Sequence, residues 1–118
     1  MKERRRDPRT KEENKVVLTP IPASGGGAPG TYYCLTKDIS MGGIRIMTDA
    51  PLAVDSRVNV EITLTKSRTR IQTEASVRWV KDLFGKDIFE MGLEFGEIDS
   101  AAELALIEHI YGKGRPRT

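Results

Sequence analysis

The residues best suited to bind a charged ligand lie near the N-terminus, in the sequence RRRDPR at positions 4–9. Arg5 and Arg9 are four residues apart, so in an extended segment their side chains point to the same side, with about 13 Å between the Cα atoms. A guanidinium group is a planar fork that binds phosphate oxygens or the O6 and N7 acceptors of guanine. The two arginines can therefore hold one ligand together. Taken alone, such a cluster is more often a solvated tail.

A second segment with binding chemistry is DISMGG at positions 38–43. Asp38 offers a carboxylate that suits the N1–H and N2–H2 donors of guanine, and the Ser40 hydroxyl can donate a hydrogen bond to phosphate. Gly43 has no Cβ and lets a ligand approach the backbone closely. The same residues also fit a turn between strands, in which Asp38 and Ser40 bond to local amides and the glycines satisfy the turn geometry.

The charge of the chain is unevenly distributed. The protein has 118 residues, of which 38% are apolar and 31% charged, enough for one domain with a modest core. Residues 1–11 contain six basic and two acidic side chains, whereas the net charge of the whole chain is only +2. The sequence therefore predicts a nearly neutral domain that carries a cationic arm, and such an arm attracts anions.

Several functional classes are disfavoured by composition. A single cysteine, Cys34, excludes an internal disulfide, and a single histidine, His109, leaves no set of zinc ligands. No apolar run is long enough for a membrane-spanning helix or follows the basic start as in a signal peptide, so we expect a cytoplasmic protein. No nucleophile and base, paired carboxylates or metal cluster stand at an informative spacing, so we expect neither an enzyme nor a cofactor.

Alternation of apolar and polar residues predicts an all-β protein. The clearest example has Val58, Val60, Ile62 and Leu64 on one face. The next strand continues the period with Trp79 pointing inward, where a place in the core is favoured over stacking on a ligand. Six such segments are expected, at 16–18, from 32 onward, 44–47, 58–64, 71–79 and 89–95. Six consecutive hairpin-connected strands close most economically as a six-stranded antiparallel β-barrel, since closure removes exposed edges. The glycine-rich segment 23–30 is expected to be a loop.

The last element is predicted to be a C-terminal α-helix. Ser100 and Glu103 have the spacing of a capping box, and Leu104, Ile107 and Tyr111 recur at helical spacing. A following glycine, Gly112, ends the helix. We expect this helix to cover one open end of the barrel.

Together, Arg5-x-x-x-Arg9 and Asp38-x-Ser40-x-x-Gly43 resemble the signature of the PilZ domain, a bacterial receptor for cyclic di-GMP, and the late segment MGLEF at 91–95 is also similar. The resemblance covers nearly the whole chain and implies the same fold, a six-stranded antiparallel barrel with a C-terminal helix. It implies a stand-alone member with three parts. These are a flexible arm at 1–12, a barrel with its helix at 13–112 and a loose tail at 113–118.

The resemblance also implies roles for individual residues. Arg5 and Arg9 are expected to contact guanine Hoogsteen edges and phosphates, while Asp38, Ser40 and Gly43 line the barrel surface beneath the ligand. Arg4 stands immediately before the motif, where a third guanidinium can reach a second nucleotide of an intercalated cyclic di-GMP pair.

The function implied is a non-enzymatic receptor that binds cyclic di-GMP and passes the signal to a partner protein, without membrane insertion. Two alternatives remain open. One is a PilZ-like adaptor that does not bind nucleotide, and the other is a barrel that binds single-stranded nucleic acid through its basic arm. The second is disfavoured because the strands lack a stripe of exposed aromatic residues.

Overall fold

Six antiparallel strands close into a barrel, and one helix follows them. The computed structural model describes residues 13–22, 30–83, 85 and 87–112. The strands are β1 (Lys15–Pro20), β2 (Tyr32–Ile39), β3 (Gly43–Thr48), β4 (Arg57–Thr63), β5 (Arg70–Asp82) and β6 (Phe89–Phe95), and the helix is α1 (Ser100–Tyr111). The predicted six-stranded barrel with a C-terminal helix is thus confirmed.

The order of strands around the barrel is β1-β2-β3-β6-β5-β4. Hairpin connections join β1 to β2, β2 to β3, β4 to β5 and β5 to β6, but β3 pairs with β6, and β4 pairs with β1. The expectation of consecutive hairpins throughout is therefore wrong at one place, because the chain crosses from β3 to β4 over residues 49–56. This crossover brings β2, β3, β6 and β5 side by side in one continuous surface.

The barrel interior is filled by the apolar residues of each alternating strand. Val58, Val60 and Ile62 of β4 are at most 1% exposed, whereas Asn59 between them is exposed. The largest fully buried side chains come from all six strands and the helix, and they include Leu18, Ile39, Ile44, Ile46, Ile62, Ile71, Met91 and Leu106. Burial of this apolar surface is the main stabilising contribution to such a fold.

Two irregularities change the phase of the alternation. In β2 the register shifts between Thr36 and Asp38, and in β5 it shifts between Val77 and Trp79. Each is a β-bulge, in which one extra residue lets the side chain after it point to the opposite face. The prediction that Trp79 points into the core is therefore wrong, and its side chain is 39% exposed on the outer surface.

Asn14 anchors the chain where β1 begins. Its backbone N–H donates to the Thr36 hydroxyl at 3.0 Å, and its carbonyl accepts from the Thr36 N–H at 3.0 Å. Its side-chain oxygen accepts from the Thr65 N–H at 2.8 Å. Asn14 is fully buried, so these bonds are shielded from water and tie the start of β1 to β2 and to the β4–β5 turn.

The helix begins one residue earlier than its capping box predicts. Asp99 is the N-cap, and its carboxylate accepts from the Ala102 N–H at 2.8 Å, so Ser100 is already the first helical residue. The buried face carries Ala102 and Leu106, whereas Leu104 is 56% exposed. The apolar spacing of 104, 107 and 111 thus indicates a helix correctly but marks its outer face.

Three predicted parts lie wholly or largely outside the described residues: the arm at 1–12, the tail at 113–118 and the glycine-rich segment except Gly30. Among the residues that are described, no helix is long and apolar enough to cross a membrane. The described part of the chain also contains no group of three side chains placed to hold a metal ion.

The buried face of the helix can be tested with two leucines two positions apart. Leu106→Ala should lower the free energy of unfolding by about 2–4 kcal/mol, because it leaves a cavity in the core. Leu104→Ala should change it by no more than about 0.5 kcal/mol, as is usual at exposed sites. Urea denaturation measures both values, and equal losses in the two variants would contradict this packing.

Candidate ligand-binding surface

Four residues form a row across the outer surface of four adjacent strands. Asp38 of β2 lies opposite Arg45 of β3, Arg45 lies opposite Gly92 of β6, and Gly92 lies opposite Trp79 of β5. Directly opposed residues of an antiparallel pair share a face of the sheet. The row therefore places a carboxylate, a guanidinium, a glycine and an indole in sequence along one surface.

The Asp38 carboxylate is covered by Arg45. The Arg45 Nε donates to Asp38 Oδ2 at 2.8 Å, and Nη2 of the same guanidinium contacts the same oxygen. The Asp38 side chain is only 1% exposed, against 34% for Arg45. This hydrogen bond to Asp38 raises the pKa of Arg45, against a smaller opposing effect of burial. The interaction is charge-assisted and correspondingly strong.

A second carboxylate, Glu90, lies on the other side of the same guanidinium. Its Oε2 is 3.4 Å from Arg45 Nη1 and 3.3 Å from the Lys37 ammonium, and its side chain is 5% exposed. Both distances fit ion pairs, but neither contact has hydrogen-bond geometry at that oxygen. Two buried carboxylates and two partly exposed cations thus form one neutral cluster on the barrel wall.

Ser40 and Gly43 build the turn that joins β2 to β3. The Ser40 hydroxyl accepts from the Gly42 N–H at 3.2 Å and lies 3.4 Å from the Gly43 carbonyl oxygen, to which it donates. The Ser40 N–H donates to the same carbonyl at 2.9 Å. Ser40 is 4% exposed, so in this conformation its hydroxyl forms hydrogen bonds within the turn and is turned away from solvent.

Gly43 is required by the packing of strands. A Cβ at this position would stand 2.0 Å from the carbonyl oxygen of Leu93 on β6. That atom belongs to the backbone and cannot move aside without disturbing the β3–β6 pairing. The close approach that Gly43 permits is therefore to the neighbouring strand.

The indole of Trp79 occupies the space beside Gly92 that a side chain would fill. A Cβ at Gly92 would be 2.2 Å from Trp79 Nε1 and 2.3 Å from Cε2, so only glycine leaves room for the ring. Because Arg45 is the other neighbour of Gly92, the indole and the guanidinium lie on either side of one residue. An exposed aromatic ring in this position can stack on a planar base.

The structure brings together three of the residues singled out from the sequence, Asp38, Ser40 and Gly43, at the end of β2 and the start of β3. The other three, Arg4, Arg5 and Arg9, lie outside the described residues. The sequence does not single out Arg45 and Glu90, because each is a polar residue at an outward position of an alternating strand, as many others are. Placing Trp79 beside them requires locating the bulge in β5. A glycine within a strand, such as Gly92, can mark either a bulge or a close approach, and its residue type does not decide between them.

A closed six-stranded barrel of this topology, followed by one helix, defines a small β-domain with a charged cluster on its outer wall. The family model for the PilZ domain matches residues 3–112, and the chain belongs to the PilZ family. No curated protein matches the sequence.

Solved structures share the fold. The Bacillus subtilis inhibitor of motility, MotI/DgrA, superposes with a TM-score of 0.73 at 24% identity over 92% of this chain and 50% of that one. The PilZ domain with c-di-GMP of YcgR from Escherichia coli gives 0.69 at 18% identity, covering 92% and 90%. The K. pneumonia MrkH–c-di-GMP complex gives 0.68 at 22% identity, covering 90% and 50%. The chain thus spans about half the length of MotI and MrkH.

Contact between Trp79 and Gly92 can be tested by fluorescence, since Trp79 is the single tryptophan of the chain. Gly92→Ala should push the indole off the strand and shift its emission to longer wavelength, because the ring gains contact with water. Gly96→Ala is the matched control, since its added Cβ would make an ordinary 3.6 Å contact with the Glu74 carbonyl oxygen. Identical spectra for the two variants and the native protein would refute this arrangement.

Proposed function

We propose that this protein is a non-enzymatic receptor for cyclic di-GMP. The observation that carries the proposal is the row of Asp38, Arg45, Gly92 and Trp79, which borders the turn formed by Ser40 and Gly43. Membership of the PilZ family supports it, as do solved neighbours whose structures contain c-di-GMP, among them the YcgR PilZ domain and MrkH. The sequence adds Arg5 and Arg9 at the spacing of the family's arginine motif.

The chemistry of this surface suits a guanine dinucleotide. In the proposed complex, Arg5 and Arg9 bind phosphates and guanine Hoogsteen edges through their planar forks. Asp38 accepts from the N1–H and N2–H2 donors of one guanine, and the Trp79 indole stacks on a base. The turn of Ser40 and Gly43 supports the strand ends beneath the ligand.

The output of this receptor is an interaction with another protein. Residues 1–12 carry cationic side chains and few apolar ones, so the phosphates of the ligand supply a counter-charge for them. Binding of the charged ligand changes the surface that a partner protein meets. We propose that this signalling takes place in the cytoplasm.

A nucleic-acid-binding protein and a cyclic di-GMP receptor differ in their preferred ligand and in how strongly salt weakens binding. Titration with cyclic di-GMP and with a single-stranded oligonucleotide, each at two salt concentrations, separates the two. A generic phosphate binder prefers the oligonucleotide and weakens steeply as salt increases. A cyclic di-GMP receptor prefers the dinucleotide at both concentrations.

The arginine motif is tested by calorimetry. Arg5→Ala and Arg9→Ala should each weaken cyclic di-GMP binding about tenfold or more, because a lost charge-assisted contact is worth roughly 1.5–3 kcal/mol. Arg57→Ala is the control, since Arg57 is exposed on β4, pairs with Glu74 and is not on a strand next to β2 or β3. Native affinity in both motif variants would exclude the arm from binding, and absence of binding by the native protein would exclude the function.

The presence of Arg4 before the motif predicts how many cyclic di-GMP molecules bind to each chain. A third guanidinium beside Arg5 can reach the second nucleotide of an intercalated cyclic di-GMP pair by stacking or by a bidentate contact, and an aliphatic residue offers neither. We therefore expect two nucleotides per chain in the native protein and one in Arg4→Leu. Calorimetry gives both values, and a stoichiometry of one in both proteins would argue against the pair.

A further inference from the structure

Asp38 is already occupied by the kind of donor that it is proposed to receive. Its carboxylate is 1% exposed, and both Nε and Nη2 of Arg45 are directed at one of its oxygens. A base cannot reach Oδ2 of this carboxylate while the guanidinium contacts it. The role of Asp38 in binding guanine therefore requires that Arg45 move.

The guanidinium and guanine present the same pattern to a carboxylate. The Nε–H and Nη2–H bonds of arginine are two nearly parallel donors in one plane, and the N1–H and N2–H bonds on the Watson–Crick edge of guanine are arranged in the same way. Adenine presents an acceptor, N1, beside its N6 donor, and so lacks this pattern. Arg45 is in this sense a built-in substitute for guanine.

We propose that Arg45 is a specificity-determining placeholder, which occupies Asp38 in the free protein and is displaced by the Watson–Crick edge of guanine. This inference rests on the proposed function and adds a step to it. Binding becomes an exchange of one pair of donors for another at the same carboxylate. The displacement of Arg45 is then the first structural change that the ligand produces on the barrel wall.

Glu90 lowers the free-energy cost of moving Arg45 away from Asp38. Its carboxylate lies 3.4 Å from Arg45 Nη1, on the other side of the guanidinium from Asp38, and it is 5% exposed. A guanidinium that leaves Asp38 keeps an anionic partner in Glu90, while Asp38 receives the guanine donors. Neither buried carboxylate is left uncompensated at the end of the exchange, a condition that would otherwise cost several kcal/mol.

The placeholder also gives a reason for selectivity. A ligand whose base lacks two parallel donors cannot replace the two donors of Arg45, so Arg45 keeps its place on Asp38. Discrimination of this kind depends on the penalty paid by the wrong ligand. Cyclic di-AMP is the matched wrong ligand, since its phosphates and ring size are the same.

The experiment that tests the proposal uses Arg45→Lys, which keeps the positive charge but cannot present the planar fork. A weaker placeholder should be easier to displace, so cyclic di-GMP should bind roughly three to ten times more tightly than to the native protein. The matched control is Arg57→Lys, on the exposed pair with Glu74, and its affinity should equal that of the native protein. Unchanged or weaker binding by Arg45→Lys would overturn the proposal, because a direct contact of Arg45 with the ligand requires weakening.

A second measurement follows Arg45 in the native protein. Its Nε–H signal in a ¹⁵N spectrum is assigned by its loss in Arg45→Lys. In the free protein this hydrogen should exchange slowly with solvent. At saturation with cyclic di-GMP its exchange rate should rise at least tenfold. Excess cyclic di-AMP should leave it protected. If cyclic di-GMP binds by calorimetry and the signal stays protected, the placeholder is wrong and the receptor function stands. If no heat of binding is observed, both fail.

Discussion

Two one-residue bulges decide which side chains the barrel presents to solvent. The register shifts between Thr36 and Asp38 in β2 and between Val77 and Trp79 in β5. With unbroken alternation, Asp38 would share the inward face of Thr36, and Trp79 that of Val77. A buried carboxylate facing the apolar interior would be very costly, and a large ring would overfill it. The bulges move both side chains to the outer wall, on either side of Arg45 and Gly92.

The carboxylates on this wall are almost fully buried, whereas the cations that pair with them are partly exposed. Asp38 and Glu90 have side-chain exposures of 1% and 5%, and the cations that compensate them, Arg45 and Lys37, are 34% and 42% exposed. Such an arrangement keeps the carboxylates away from water while leaving the cations accessible from outside. A cluster of this kind is weak evidence of stability, because desolvation offsets most of the attraction between its members.

Two glycines close to this wall have different partners. Gly43 allows β3 to approach the backbone of Leu93, and a methyl group there would collide with an atom that cannot move away. Gly92 makes room for the Trp79 side chain, which could yield by rotating. Gly43 is therefore required for the barrel to close, whereas Gly92 determines where the Trp79 ring lies on the outer surface. Both lie on strands that form the β3–β6 pair, where the chain departs from consecutive hairpins.

The period-two alternation of residues 58–64 was enough to predict a half-buried strand, and the same period in the other segments was enough for a six-stranded barrel, because burial of one face specifies register. The residue types of Asp38, Ser40 and Gly43 marked the β2–β3 connection as a place with binding chemistry. The face of Trp79, the buried side of the helix and the engagement of Asp38 by Arg45 were inaccessible to this reasoning. Each depends on contacts between residues distant in the chain. A bulge is an irregularity of pairing between two strands, and the face that a helix buries is chosen by the surface it meets, so both are properties of the assembled barrel that local sequence periodicity does not contain.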